Sequence, residues 1–237
     1  MSTLAIIQAR LGSTRLPKKV LMRFAGHSVI EHVYKRVRAA VFHTVVACPA
    51  QDTALVRECH SLSIPVFAWD GDPEDVLGRF HACAAQYPTA TILVRITADC
   101  PFVQPAHITA CIALAHMHDF ARLSPREGWP DGLDVEAFKP AVLDACRSQE
   151  HVTADIQPNA VVTSPQDLSA HRWTLDTRDD LAWFRRISDV VDCTPPFHPT
   201  VAELLSTINR NENLYGHFAH PERHPDLQQT PDARPRA

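Results

Sequence analysis

Along the first 118 positions, short apolar runs alternate with stretches whose apolar residues recur every three to four positions. Leu4 to Ile7 is an uninterrupted apolar run, which predicts a strand buried on both faces. After a polar loop, Val20-Leu21-Met22 is short and apolar. Gly26 then breaks the chain, and Ser28 with Glu31 three residues on forms a capping-box pattern. Val29, Ile30, Val33, Tyr34 and Val37 follow on one face of a helix. Thr44 to Cys48 reads as a second strand, ended by Pro49, and residues 52–62 as a helix carrying Leu55, Val56, Cys59 and Leu62. Val66 to Trp69 predicts a third strand. Glu74 and Asp75 open the next helix, where acids suit the dipole, with Val76, Leu77, Phe80, Cys83 and Ala84 along it. Ile92 to Ile96 predicts a fourth strand, and Pro105 opens a helix through Ile108, Ile112 and Ala115. Four such units imply an α/β fold with a mostly parallel sheet and flanking helices. In such sheets ligands gather at the carboxyl ends of the strands.

Beyond residue 118 the rhythm changes. The alternation from Leu133 to Phe138 predicts a strand with Asp134 and Glu136 on one face. A helix is expected over 139–147, and short strands at Val161-Val162 and Arg172-Trp173-Thr174-Leu175. Asp176 to Asp180 caps a helix containing Leu181, Phe184 and Ile187, and a last helix spans 199–209. From Ala219 the chain is rich in Pro, His and Arg and is expected to be disordered. The pattern suggests one domain over 1–218, with a small inserted β lobe at 119–165, and a tail over 219–237.

Composition narrows the function. Of 237 residues, 45% are hydrophobic and 21% charged, ordinary for a soluble protein, and the net charge is −4. That balance argues against general nucleic-acid binding, so an anionic ligand must be met by a local cationic site. Seven cysteines without a Cys-x-x-Cys pair give a zinc site little support and read as buried thiols in a reducing compartment. With neither a signal peptide nor an apolar run of membrane-spanning length, a cytoplasmic location is expected and no membrane partner.

Three constellations carry chemistry. The loop after the first strand holds Arg10, Arg15, Lys18 and Lys19 with Gly12, Ser13 and Thr14 between them and no acid. Backbone N–H groups, hydroxyls and forked guanidiniums suit a polyphosphate, although a solvated basic surface loop would read the same way. Neither a P-loop nor a Gly-x-Gly-x-x-Gly fingerprint is present. Asp99 and Asp176 each come directly after an apolar β-like run. Paired with a triphosphate they suit Mg²⁺, which takes one or two protein carboxylates plus phosphate and water; the alternative is that each caps the adjoining turn or helix. Asp134 and Glu136, with Glu150, His151 and Thr153 downstream, suit either a polar acceptor pocket or a solvent-exposed strand face.

Five segments, in order, resemble the cytidylyltransferases that make CMP-activated sugar acids, the CMP-sialic-acid and CMP-KDO synthetases, and most of all their spore-coat polysaccharide type. They are Ile6 to Leu21 (Ile-Ile-Gln-Ala-Arg-Leu-Gly-Ser-Thr-Arg-Leu-Pro-x-Lys-Val-Leu), Glu74 to Phe80, Val94 to Pro101, Gly132 to Glu136, and Arg172 to Leu181. The resemblance implies a nucleotide-diphosphosugar transferase (Rossmann-like) fold. It also implies attack by an acceptor oxygen on the α-phosphate of CTP with release of pyrophosphate, for surface polysaccharide or glycan synthesis. By position, Arg10, Arg15 and Lys19 would hold the triphosphate as the catalytic cations, within a nucleotide-binding loop of Ala9, Arg10, Leu11, Gly12, Ser13, Arg15 and Lys19. Asp52 and Asp75 would lie toward the nucleoside. Asp99 and Asp176 would bind Mg²⁺, and Arg95, Asp134, Glu136 and Glu150 would face the acceptor. The family also implies a homodimer. Lys18 stands where the family usually has glycine, and Ala98 where glycine usually precedes the aspartate. Two alternatives share this resemblance: a cytidylyltransferase for a non-sugar acid or phosphonate, and a nucleotide-binding protein impaired in turnover.

Overall fold

A seven-stranded sheet organises the computed structural model, which describes residues 2–148, 152–195 and 198–215. The first half runs β1 (Ser2–Gln8), β2 (Arg23–Phe24), β3 (His27–Ser28), α1 (Val29–Ala40), β4 (His43–Pro49), α2 (Thr53–Ser61), β5 (Val66–Trp69), α3 (Val76–Ala85), β6 (Ala90–Thr97) and α4 (Pro105–His118). The second half adds β7 (Phe120–Leu123), β8 (Val135–Phe138), α5 (Pro140–Ala145), β9 (Ala160–Val161), α6 (Arg178–Ser188), α7 (Val201–Arg210) and the short α8 (Glu212–Tyr215). The strand order is β5-β4-β1-β6-β8-β7-β9, while β2 and β3 form a separate antiparallel pair. Neighbours among β5, β4, β1 and β6 pair in parallel, and β8 runs antiparallel to β6 and β7. The lobe expected at 119–165 thus contributes three strands to one edge of the same sheet.

Alternation along β1 divides the core. Ala5 and Ile7 pack with Val33, Leu55, Ile108 and Phe184, from α1, α2, α4 and α6, on one face. Leu4 and Ile6 pack with Leu77, Phe80 and Leu143, from α3 and α5, on the other. Continuous apolar strands follow from this two-sided burial.

Three local expectations differ from the structure. Ser28 stands at the N-cap of α1, but its hydroxyl makes no cap bond and is buried without a partner. Glu31, the other half of that capping box, turns instead to His27 and Lys35. Residues 172–175 form no strand; a single bridge joins Arg172 to Asp131. β7 has no counterpart among the predicted elements, because Arg122 interrupts its four-residue apolar pattern. The tail from 219 lies outside the described residues.

His32, on the buried face of α1, gives stability a pH dependence. Its ring stacks on Phe24 at 3.9 Å, and its Nε2 lies 3.1 Å from the Phe24 carbonyl. Burial, helped by the nearby Arg36 charge, lowers its pKa from 6.5 to about 4. Between those values the unfolded chain binds a proton that the folded chain refuses, so stability falls as pH drops through this window. The full shift is worth at most about 3 kcal/mol. Urea unfolding at pH 7.5 and pH 5 is expected to show lower stability at pH 5, with a smaller difference in a His32→Gln variant; equal slopes in the two proteins would refute this assignment.

Candidate active site

Hydrogen bonds continue the order of the sheet past its strand ends. Ala9 donates its N–H to Ala47 (3.1 Å) and Ala98 donates to Gln8 (2.9 Å), so the loops leaving β1 and β6 start from fixed positions. The segment after residue 171 is fastened between two of these ends. The Trp173 N–H donates to the Asp131 carbonyl (2.6 Å) and the Leu175 N–H to the Asp99 carbonyl (2.9 Å). Trp173 is fully buried, edge-on to Phe102 at 6.4 Å. Thr177 caps α6 in a capping box with Asp180, which leaves Asp176 free of the capping role. The loop after β1, Asp99, Asp131, Asp134, Glu136 and Asp176 consequently line one cleft of about 860 Å³ at the carboxyl end of the parallel strands.

The loop cations rest on carboxylates. Lys19 Nζ sits 2.5 Å from Asp99 Oδ2 and 2.6 Å from Asp176 Oδ1. Burial works against its charge, but the two aspartates outweigh it and raise its pKa. Arg15 Nη2 lies 3.0 Å from Asp176 Oδ2, Arg172 Nη2 2.5 Å from the same oxygen, and Arg10 Nη1 2.5 Å from Glu74. Burial alone would raise the Asp176 pKa, yet Lys19, Arg15 and Arg172 hold it below the ordinary carboxylate range. Arg172 also reaches Asp131 (3.4 Å) and Asp180 (3.5 Å), and Thr174 Oγ1 donates to Asp131 (2.8 Å).

Across β6, β8 and β7 the register sets Arg95, Glu136 and Arg122 in one row. Arg95 donates to Gln8 Oε1 (2.6 Å) and pairs with Glu136 (3.0 Å). Arg122 pairs with Glu127 (2.8 Å), while its Nε and the Nε2 of Gln8 are buried donors without partners in the cleft wall. Asp134 accepts the Gly132 N–H (3.0 Å). Burial, and then the neighbouring Asp131, push its carboxyl well above the usual range.

Among the described residues no group of three or more His, Cys, Asp or Glu side chains could hold a metal ion. Asp99 and Asp176 nonetheless converge on one cationic centre, the Lys19 ammonium. They fit a hard divalent cation that draws its remaining oxygens from a bound phosphate and water.

Residues 4–125, half of the chain, match the family model described as cytidylyltransferase. The chain belongs to the cytidylyltransferase family. Its similarity to the spore coat polysaccharide biosynthesis protein SpsF of Bacillus subtilis is 29% identity, over 88% of this chain and 94% of that one. The 3-deoxy-manno-octulosonate cytidylyltransferase of Acidobacterium capsulatum is 33% identical over 48% of this chain and 46% of its own. Among solved structures, a cytidylyltransferase from Leptospira borgpetersenii superposes with a TM-score of 0.79 at 23% identity, covering 94% of this chain and all of that one. CMP:2-keto-3-deoxy-manno-octonic acid synthetase complexed with CTP superposes with a TM-score of 0.59 at 17% identity, over 80% and 99% of the two chains.

In this cytidylyltransferase Ala9, Arg10, Gly12, Ser13, Arg15 and Lys19 line the cleft, as do Arg95, Asp99, Asp134, Glu136 and Asp176. Three expected nucleotide-binding residues are absent from its lining. Leu11 donates its N–H to Asp52 (2.8 Å), so these two brace the loop from behind. Asp75 is the N-cap of α3 and accepts the Gly78 N–H (2.8 Å). Glu150 lies outside the described residues. Sequence reasoning assigned no role to Arg79, Arg122, Asp131 or Thr174, all of which line the cleft, nor to Arg172. Arg79 and Arg172 sit inside segments that carry the family resemblance, and Asp131 directly precedes another; Arg122 lies on the unpredicted β7.

The two departures from family glycines differ in consequence. Ala98 is buried and does not have positive φ. Lys18 adopts φ 60° and ψ 23°, the left-handed conformation that glycine enters freely, with its side chain exposed. Lys18→Gly is therefore expected to raise stability by about 1 kcal/mol. Gly132 shows the converse: its φ is +102°, and a Cβ there would lie 2.4 Å from the Trp173 carbonyl carbon. Gly132→Ala is expected to lower stability by about 3 kcal/mol. Denaturant unfolding of both variants tests the pair; the same sign for both would contradict this reading.

Proposed function

We propose that the chain transfers a cytidylyl group from CTP to a hydroxyl of a small sugar acid, sialic-acid-like or KDO-like, and releases pyrophosphate. The observation that carries this reading is the meeting of Arg15 and Lys19 with Asp99 and Asp176 at one point in the cleft. Nucleotidyl transfer needs alignment and charge neutralisation more than a covalent catalyst. The acceptor oxygen attacks the α-phosphorus, the bond to the α–β bridging oxygen breaks, and pyrophosphate leaves. Arg10, Arg15 and Lys19 bind the triphosphate and neutralise the charge that grows on the leaving group. Asp99 and Asp176 would hold Mg²⁺, which would supply further neutralisation along the triphosphate. Asp134, with its raised pKa, takes the proton of the acceptor hydroxyl.

An acidic acceptor suits the far wall of the cleft. Arg122 has a free buried Nε there, and Arg126 lines the same wall. Similarity to 3-deoxy-manno-octulosonate cytidylyltransferases supports a sugar acid over other acids, and similarity to SpsF supports a place in polysaccharide synthesis.

The test is Mg²⁺-dependent pyrophosphate release from CTP with 3-deoxy-manno-octulosonate and N-acetylneuraminate as acceptors. Arg15→Ala and Asp99→Asn are each expected to lower kcat/KM by about 10²-fold or more. Undiminished turnover in the Asp99 variant, or no release with either sugar acid, would overturn the reading.

A further inference from the structure

The position of Lys19 has a consequence for the order in which ligands enter the cleft. Its ammonium bonds Asp99 Oδ2 and Asp176 Oδ1 together, which puts those oxygens no more than about 5 Å apart, and its side chain is only 12% exposed. Mg²⁺ and Mn²⁺ bind carboxylate oxygens at roughly 2.1 Å, so a divalent ion held by both aspartates needs the same space. An ammonium and a dication cannot share it. We propose that Lys19 is a resident placeholder for the divalent cation, moved off the two aspartates by the triphosphate, so that metal and nucleotide bind together and the metal alone binds poorly. This rests on the assignment of Asp99 and Asp176 as metal ligands made above.

Three features of the site support the exchange. First, the described residues provide no third His, Cys, Asp or Glu side chain to complete a metal site, so an ion arriving alone gains two carboxylates and must expel a largely buried, doubly bonded lysine. A triphosphate changes both sides of that balance: its oxygens complete the ion's coordination and receive the displaced ammonium. Second, the lysine moves without dragging its backbone. The Lys19 N–H donates to Leu16 (3.2 Å) and the Met22 N–H donates to the Lys19 carbonyl (3.0 Å), leaving the four-carbon stem to swing. Third, the aspartates keep their places when the lysine leaves. Arg172 still holds Asp176, and the Leu175 N–H still joins that segment to the Asp99 carbonyl.

The experiment measures binding, with Mn²⁺ as the probe and free Mn²⁺ read by electron paramagnetic resonance. Titrations use the whole protein with and without CTP, in the absence of acceptor, corrected for the Mn²⁺ that CTP binds in solution. The wild-type protein is expected to bind Mn²⁺ at least tenfold more tightly with CTP than without, and by linkage CTP at least tenfold more tightly with Mn²⁺. Lys19→Met is expected to tighten Mn²⁺ binding without CTP by tenfold or more and to reduce the coupling severalfold. Lys19→Arg, which keeps the charge, is expected to bind Mn²⁺ alone as weakly as the wild type. Adding Asp99→Asn to Lys19→Met should remove the gained affinity. Equal Mn²⁺ affinity of the wild-type protein with and without CTP overturns the placeholder whether or not any variant folds, and so does unchanged Mn²⁺ affinity in a folded Lys19→Met. Failure of Mn²⁺ to bind even with CTP would instead overturn the metal assignment on which the placeholder rests.

Discussion

One largely buried lysine balances two aspartates that come from opposite halves of the chain. Without Lys19, Asp99 and Asp176 would bring two like charges to within about 5 Å in a partly buried cleft. Neither would keep its proton off at low expense of free energy, because burial favours the neutral acid and each charge opposes the other. The structure around them follows from that constraint. Asp176 carries three cations, from Lys19, Arg15 and Arg172, and its pKa is lowered despite burial. Asp131 and Asp134 line the same cleft with fewer cationic partners, and theirs are raised. One cleft thus holds carboxylates of two kinds, a difference suited to cation binding on one side and proton transfer on the other.

The parallel half of the fold was readable because its strands are buried on both faces. Leu4 to Ile7 and Ile92 to Ile96 are nearly pure apolar runs, and each leads into a loop and then a helix with a regular stripe. The other edge obeys a mixed rule. β7 needs Phe120 and Leu123 for the core and Arg122 for the cleft, so its pattern is broken by the residue that gives it a place in the site. Residues 172–176 fail the opposite way. Their alternation is real, with Trp173 and Leu175 turned to the core and Thr174 and Asp176 to the cleft. The backbone nevertheless makes single bonds to two different loops instead of a ladder, and side-chain periodicity carries no information about which groups the backbone will meet.

Legibility of the site followed the same division. Arg10, Arg15, Lys19 and Asp99 occur in short local patterns, so their types and spacing announced a cationic loop and a strand-end acid. Asp52 and Asp75 sat beside such patterns, yet their carboxylates serve backbone N–H groups, of Leu11 and Gly78. An aspartate that caps and an aspartate that faces a ligand look alike until the nearest donor is known. Arg172 and Asp131 were illegible for a different reason: Asp131 meets Arg172 and Thr174, the latter 43 residues away along the chain, and only the folded cleft brings them together.

The precision of the cleft comes from where its residues are attached. Each key side chain leaves the backbone within a residue or two of an interstrand or interloop hydrogen bond: Arg10 after Ala9, Asp99 after Ala98, Asp176 after Leu175. Such attachment limits displacement of the carboxylates while leaving the long cationic side chains free to turn. A site built this way can exchange one cation for another without moving its anions. The left-handed Lys18 belongs to the same design, since the turn it closes sets the starting point of the Lys19 side chain. Strain at residue 18 and mobility at residue 19 are then two parts of one arrangement, in which a fixed backbone turn aims a flexible charge at two fixed acids.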